Sequence, residues 1–168
     1  MTNTGKLKVT TPTDREIVMT RVFDAPCRLV FEALTKPELV RQWLLGPPGW
    51  TMPVCEIDLR VGGTCRYVWR NADGTEMGMS GVLREIVPPE RLVATEKFDQ
   101  PWYPGEAVVT SVLTEEGGQT MLTLTVRYES REIRDGVLKT PMAQGVAAGY
   151  DRLAELLAHG MEKEASKS

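Results

Sequence analysis

Residues 137–161, VLKTPMAQGVAAGYDRLAELLAHGM, place Leu138, Met142, Gly145, Val146, Gly149, Leu153, Leu156 and Leu157 on one stripe. That spacing is the pattern of a long helix with a single buried face. Gly145 and Gly149 sit four apart in the middle of the stripe. Glycine inside a helix costs about 1 kcal/mol against alanine, so something must offset it. Close packing of helix on sheet is one reading. The other is that the missing side chains leave space between the helix and a curved sheet, the kind of concave apolar place where ligand pockets form. The second is the favoured expectation.

Working back from that helix, the periodicity is 2 rather than 3.6. Val54–Arg60, Thr64–Arg70, Glu76–Val87, Arg91–Phe98, Glu106–Thr114 and Thr120–Glu129 read as strands. Gly62-Gly63, Asn71-Ala72-Asp73-Gly74, Pro88-Pro89 and Gly117-Gly118 supply turn chemistry between them, and connections this short make an antiparallel meander. Arg15–Phe23 adds a seventh strand. After it, Pro26 suits the first turn of a short helix carrying Leu29, Val30, Ala33 and Leu34, and Pro37 starts a second with Leu39, Val40 and Trp43. Gly46-Pro47-Pro48-Gly49 ends that second helix. The sequence thus predicts an α+β domain over 15–162, with residues 1–14 as a flexible arm and 163–168 as a polar tail.

Composition narrows the function classes. The chain has 168 residues, 42% hydrophobic and 26% charged, with 20 basic and 23 acidic side chains, an ordinary profile for one globular domain. No basic surplus exists to meet phosphates, so nucleic acid is not an expected partner. No apolar run approaches the roughly 18 residues of a membrane span. The polar N-terminus has no signal-peptide core, which makes the cytoplasm the expected location. Cys27, Cys55 and Cys65 form no CxxC pair, and His159 is the single histidine. Neither a metal site nor a cofactor is expected from that inventory, and no P-loop or GxGxxG follows a strand. His159 reads as a cation near the carbonyl end of the last helix.

The order of elements resembles the helix-grip fold of START-like (Bet v 1-like, SRPBCC) proteins. More narrowly, it is similar to bacterial homologues of the activator of heat-shock protein 90 ATPase. Val22-Phe23-Asp24-Ala25-Pro26, Val30-Phe31-Glu32-Ala33-Leu34 and Lys36-Pro37-Glu38 carry the likeness early in the chain. Trp43 before Gly46-Pro47, then Asp58, Arg60, Gly62 and Gly63, continue it. Asp73-Gly74, Glu85-Ile86, Pro88-Pro89-Glu90-Arg91-Leu92-Val93 and Gly149-Tyr150 complete it. The resemblance implies a seven-stranded antiparallel curved sheet around the long C-terminal helix, with two short helices after the first strand. START-like proteins bind lipids, sterols, polyketides or plant hormones, and some are cyclases or dehydratases. Binding of a small hydrophobic or amphipathic molecule is therefore the leading expectation. A chaperone-partner role follows from the narrower family, and cyclase or dehydratase chemistry comes third. The first dozen residues are too few for the separate N-terminal domain on which the eukaryotic activator depends.

A cavity under the long helix would take Tyr67, Trp69 and Phe98 from the meander, with Leu124, Val126 and Tyr128 from its last strand. Met142, Gly145, Val146 and Gly149 would roof it, and Trp43, Trp50 and Trp102 would form its mouth. These aromatic residues serve equally as ordinary core. Two carboxylates stand out. Glu96 shares its strand phase with Ala94 and Phe98, and Glu85 shares its phase with Leu83. Either one, pointing inward, would have a raised pKa and could anchor a ligand. A bulge or strand end would instead return it to water. No residue is assigned a catalytic role.

Overall fold

In the computed structural model, residues 5–166 are described. One antiparallel sheet of eight strands runs in the order β1-β2-β8-β7-β6-β5-β4-β3. Its members are β1 (Lys8–Thr10), β2 (Glu16–Phe23), β3 (Trp50–Ile57), β4 (Thr64–Asn71), β5 (Glu76–Val87), β6 (Arg91–Phe98), β7 (Ala107–Glu116) and β8 (Gln119–Arg127). Two short helices, α1 (Cys27–Thr35) and α2 (Pro37–Trp43), follow β2, and α3 (Arg131–Leu138) and α4 (Met142–Ser166) close the chain. This is the helix-grip arrangement, a curved sheet holding a long C-terminal helix.

The strand count is eight rather than seven. The additional strand, Lys8–Thr10, comes from the segment read as a flexible arm and pairs with Thr20–Val18 of β2. Three residues flanked by polar chain give too short a period-2 signal to be seen in the sequence. The C-terminal element also differs from the expectation, because it is two helices. Pro141 has no N–H to give and cannot lie inside a helix, so α3 ends at Leu138 and α4 begins at Met142. Ser130 caps α3, accepting from the Ile133 amide at 3.2 Å. Leu138, expected on the buried stripe, is 43% exposed at the break. At the other end α4 extends through Ser166, so part of the expected tail is helical, while residues 167–168 lie outside the described residues. No helix among the described residues is long and apolar enough to cross a membrane.

The Asn71–Gly74 turn settles the β4–β5 register. The Gly74 amide donates to the Asn71 carbonyl at 3.0 Å, and the Asn71 amide donates to the Thr75 carbonyl at 2.8 Å. Gly74 lies at φ 89°, the left-handed residue that such a hairpin loop requires. Arg70 then faces Glu76 and Cys65 faces Gly81. On the other side of β4, Cys55 faces Tyr67 and Ile57 faces Cys65, so Cys55 and Cys65 are diagonal neighbours. All three cysteines are buried free thiols. The edge strand β3 carries Pro53, and its pairing with β4 is irregular between Thr51 and Val54.

Three apolar clusters hold the layers together. Phe23, Val30, Phe31, Trp43, Tyr150 and Leu153 join β2 to α1, α2 and α4. Ile17, Met19, Val126, Tyr128 and Val137 join β2 and β8 to α3. Val40, Met52, Cys55 and Trp69 seat α2 on β3 and β4. Between these clusters the core is open.

Candidate functional site

A cavity of about 510 Å³ lies between the concave face of the sheet and α4. Its floor follows from strand alternation, which turns every second residue of β4, β6 and β8 to the same side. Tyr67 and Trp69 come from β4, Phe98 from β6, Leu124 and Val126 from β8, and Tyr128 from just beyond it. Met142, Gly145, Val146 and Gly149 of α4 lie across from them. Methionines add to the wall from two strands, with Met19 on β2 and Met77 and Met79 on β5. Methionine fills irregular gaps and adapts its shape.

The two glycines of α4 divide the two readings between them. A Cβ on Gly149 would stand 3.2 Å from the Trp43 carbonyl oxygen, so this glycine permits close approach of α4 to the end of α2. At Gly145 the nearest atom is Pro47 Cδ at 3.9 Å, and that glycine leaves space. The close contact is with a helix, not with the sheet.

Of the three tryptophans expected at the mouth, Trp50 and Trp102 sit at the cavity margin, half-buried and 39% exposed respectively. Trp43 does not. It also borders the cavity, but it is 4% exposed, lies against Tyr150 at 5.8 Å between ring centroids, and donates Nε1–H to the Ala33 carbonyl at 2.8 Å. The anchoring hydrogen bond draws it inward from the end of α2.

The carboxylates part company. Glu85 lies outside the cavity, and Arg91 Nε donates to its Oε1 at 3.0 Å on the surface. The cause is a β-bulge: Leu83 faces Ala94, yet Glu85 faces Val93, so one extra residue of β5 reverses the phase. Glu96 remains in phase and lines the cavity. Its backbone partner across the ladder is Ala107, a small side chain that leaves room beside the carboxyl. Tyr103 Oη donates to Glu96 Oε1 at 2.9 Å. No other donor reaches the Glu96 carboxyl among the described residues. Burial pushes its pKa above the ordinary 4.5, and the Tyr103 hydrogen bond opposes that rise only in part. Tyr67, Tyr103 and Tyr128 are each raised as well, by burial first; Glu96 comes next for Tyr103 and Tyr128, and Cys65 for Tyr67.

Tyr103 was not singled out from the sequence. It sits in the loop between β6 and β7, where no periodicity exists to assign a direction. The available signal was chemical, since an inward carboxyl requires a donor and Tyr103 is the next aromatic hydroxyl along the chain. His159 lies on the exposed side of α4 next to Glu162 and does not line the cavity. No group of three or more metal-ligating side chains occurs among the described residues.

Chemically, the site offers a large apolar volume, aromatic walls and one part-buried acid.

Among solved structures, a protein from Rhodobacter sphaeroides is 31% identical, with a TM-score of 0.87 over 92% of this chain and 99% of that one. A protein from Chromobacterium violaceum is 27% identical, with a TM-score of 0.76 over 86% and 98%. One from Nitrosomonas europaea, at 24% identity and TM-score 0.80 over 90% and 99%, shares the fold. No curated protein matches the chain significantly. The family model for Activator of Hsp90 ATPase homolog 1-like protein matches residues 24–158, which span α1 to the middle of α4 and nearly every wall of the cavity. This chain belongs to that family.

Proposed function

We propose that the protein binds a small hydrophobic or amphipathic molecule in the cavity between the sheet and α4. The observation that carries the reading is the open volume of about 510 Å³ itself, walled by apolar side chains and lined by one part-buried carboxyl. Well-packed interiors leave few voids larger than a water molecule. This volume falls within the roughly 300–1,000 Å³ of ordinary small-molecule pockets. Methionines and aromatics in the wall favour a ligand with a flat or flexible apolar body.

Native mass spectrometry on protein purified from its own host tests the reading. The expected result is a stoichiometric adduct that denaturing extraction releases, and that the cavity-filling variant Gly145→Phe no longer carries. Clean apo protein, unmoved in melting temperature by lipids, flavonoids and aromatic acids, would overturn it and turn attention to a chaperone partner, the role named in the family's description.

A further inference from the structure

The residues lining the cavity include no Lys, Arg or His among the described residues. Its one strongly acidic group, Glu96, has no cation beside it and only the Tyr103 hydroxyl as a donor. A carboxyl partly withdrawn from water with a single hydrogen bond and no counter-ion costs stability unless something meets it. Around it the aromatic residues form a continuous series. Tyr67 touches Trp69 at 5.9 Å between centroids, Trp69 touches Phe98 at 6.3 Å, and Phe98 touches Trp102 and Tyr103 at 5.5 and 5.8 Å. Tyr103 continues to Tyr128 at 5.2 Å.

These facts sort ligands by charge. Aromatic faces carry negative potential, and so does a carboxylate; both attract a cation and repel an anion. A fatty acid, or any other carboxylate, would bring a negative charge into a wall with no counter-ion. A neutral alcohol could donate one hydrogen bond to Glu96 but would gain nothing from the ring faces. An ammonium group would meet the free side of the Glu96 carboxyl and the aromatic faces together, while its apolar body filled the rest of the volume.

We infer that the ligand is an amphipathic amine, its ammonium seated between Glu96 and the aromatic series of Tyr67, Phe98, Tyr103 and Tyr128. The inference rests on the cavity being a ligand site and adds the charge of the ligand's head.

Three compounds with one apolar body test it by calorimetry: 4-phenylbutylamine, 4-phenylbutanol and 4-phenylbutanoate. The amine is expected to bind about tenfold tighter than the alcohol, and the acid to bind weakest. Glu96→Gln, nearly identical in shape, should erase the amine's advantage and leave the alcohol within about twofold. Phe98→Leu, which removes one ring of the proposed seat, should weaken the amine more than the alcohol. Acid binding as tight as amine binding, or an amine preference that survives Glu96→Gln, would overturn the inference and leave the cavity's role as a binding site standing. Silence from all three compounds would overturn both.

Discussion

Tyr103 reaches from the β6–β7 loop to donate its hydroxyl hydrogen to Glu96 Oε1 at 2.9 Å, the one hydrogen bond this cavity-lining acid receives among the described residues. A loop residue therefore tempers the electrostatics of a strand residue whose pKa burial raises.

Because burial raises the Glu96 pKa above 4.5, the folded chain keeps a proton that the unfolded chain has already released. That contribution is complete below the unfolded value and is lost as pH rises through the folded one. Glu96→Gln removes the dependence. The variant should melt higher than the wild type at about pH 8, with the gap closing by about pH 4. Tyr103→Phe deletes the interaction that opposes the rise, so it should move the titration further up. Melting curves across pH, with carboxyl NMR titration of Glu96, check both; a Glu96→Gln melt parallel to wild type at every pH would contradict them.

Alanine at the two α4 glycines should act with opposite signs. Gly145→Ala meets only Pro47 Cδ at 3.9 Å, and it should stabilise by about 0.5–1 kcal/mol through helix propensity. Gly149→Ala would crowd the Trp43 carbonyl oxygen, which already accepts from the Leu45 amide at 2.9 Å. Its net cost should be about 1 kcal/mol once the propensity gain is subtracted. Urea denaturation of the two variants side by side is the measurement.

Much of this was legible in the sequence, and the failures have a common source. Strand alternation in β4, β6 and β8 places Tyr67, Phe98 and Val126 on one face, as their spacing predicts. The same alternation misplaces Glu85, because a bulge carries no residue signature in β5 and reverses the phase after Leu83. Pro141 was in plain view, yet a strong apolar stripe on both sides of it conceals the break between α3 and α4. Tyr103 lies in a loop, and its direction is fixed by tertiary contacts with Glu96, Phe98 and Tyr128. Periodic segments reveal their faces; irregular ones are oriented by tertiary contact.

Arg21 offers a third test. Its side chain is buried on the inner phase of β2, donates to Asp151 of α4 at 2.8 Å, and leaves Nε without a partner among the described residues. Asp151 is largely exposed, which weakens the pair. Asp151→Ala should nevertheless cost about 1–2 kcal/mol, since it strands a buried guanidinium. Arg21→Met should cost less than Asp151→Ala, because it removes the unpaired donor together with the charge. A larger loss for Arg21→Met in chemical denaturation would show that the pair itself is strongly stabilising.

The thiols give a fourth. Burial pushes Cys55 up to about 11 and also raises Cys27 and Cys65, so the reactive thiolate is scarce in the folded chain. Native protein should resist iodoacetamide at about pH 8 and become fully labelled only on unfolding. Cys65 also borders the cavity. A bound ligand should slow its residual labelling more than that of Cys27, and peptide mass mapping distinguishes the two.

The sheet's two margins have a consequence for association. On one side β1 offers only Lys8–Thr10, and on the other Pro53 interrupts β3 beside an irregular pairing. A foreign strand needs a straight run of open amide and carbonyl groups to zip against, and neither border supplies one. Among the described residues, backbone chemistry at both margins disfavours growth of the sheet from molecule to molecule. The curved sheet around the cavity is thereby guarded against polymerising through its rims.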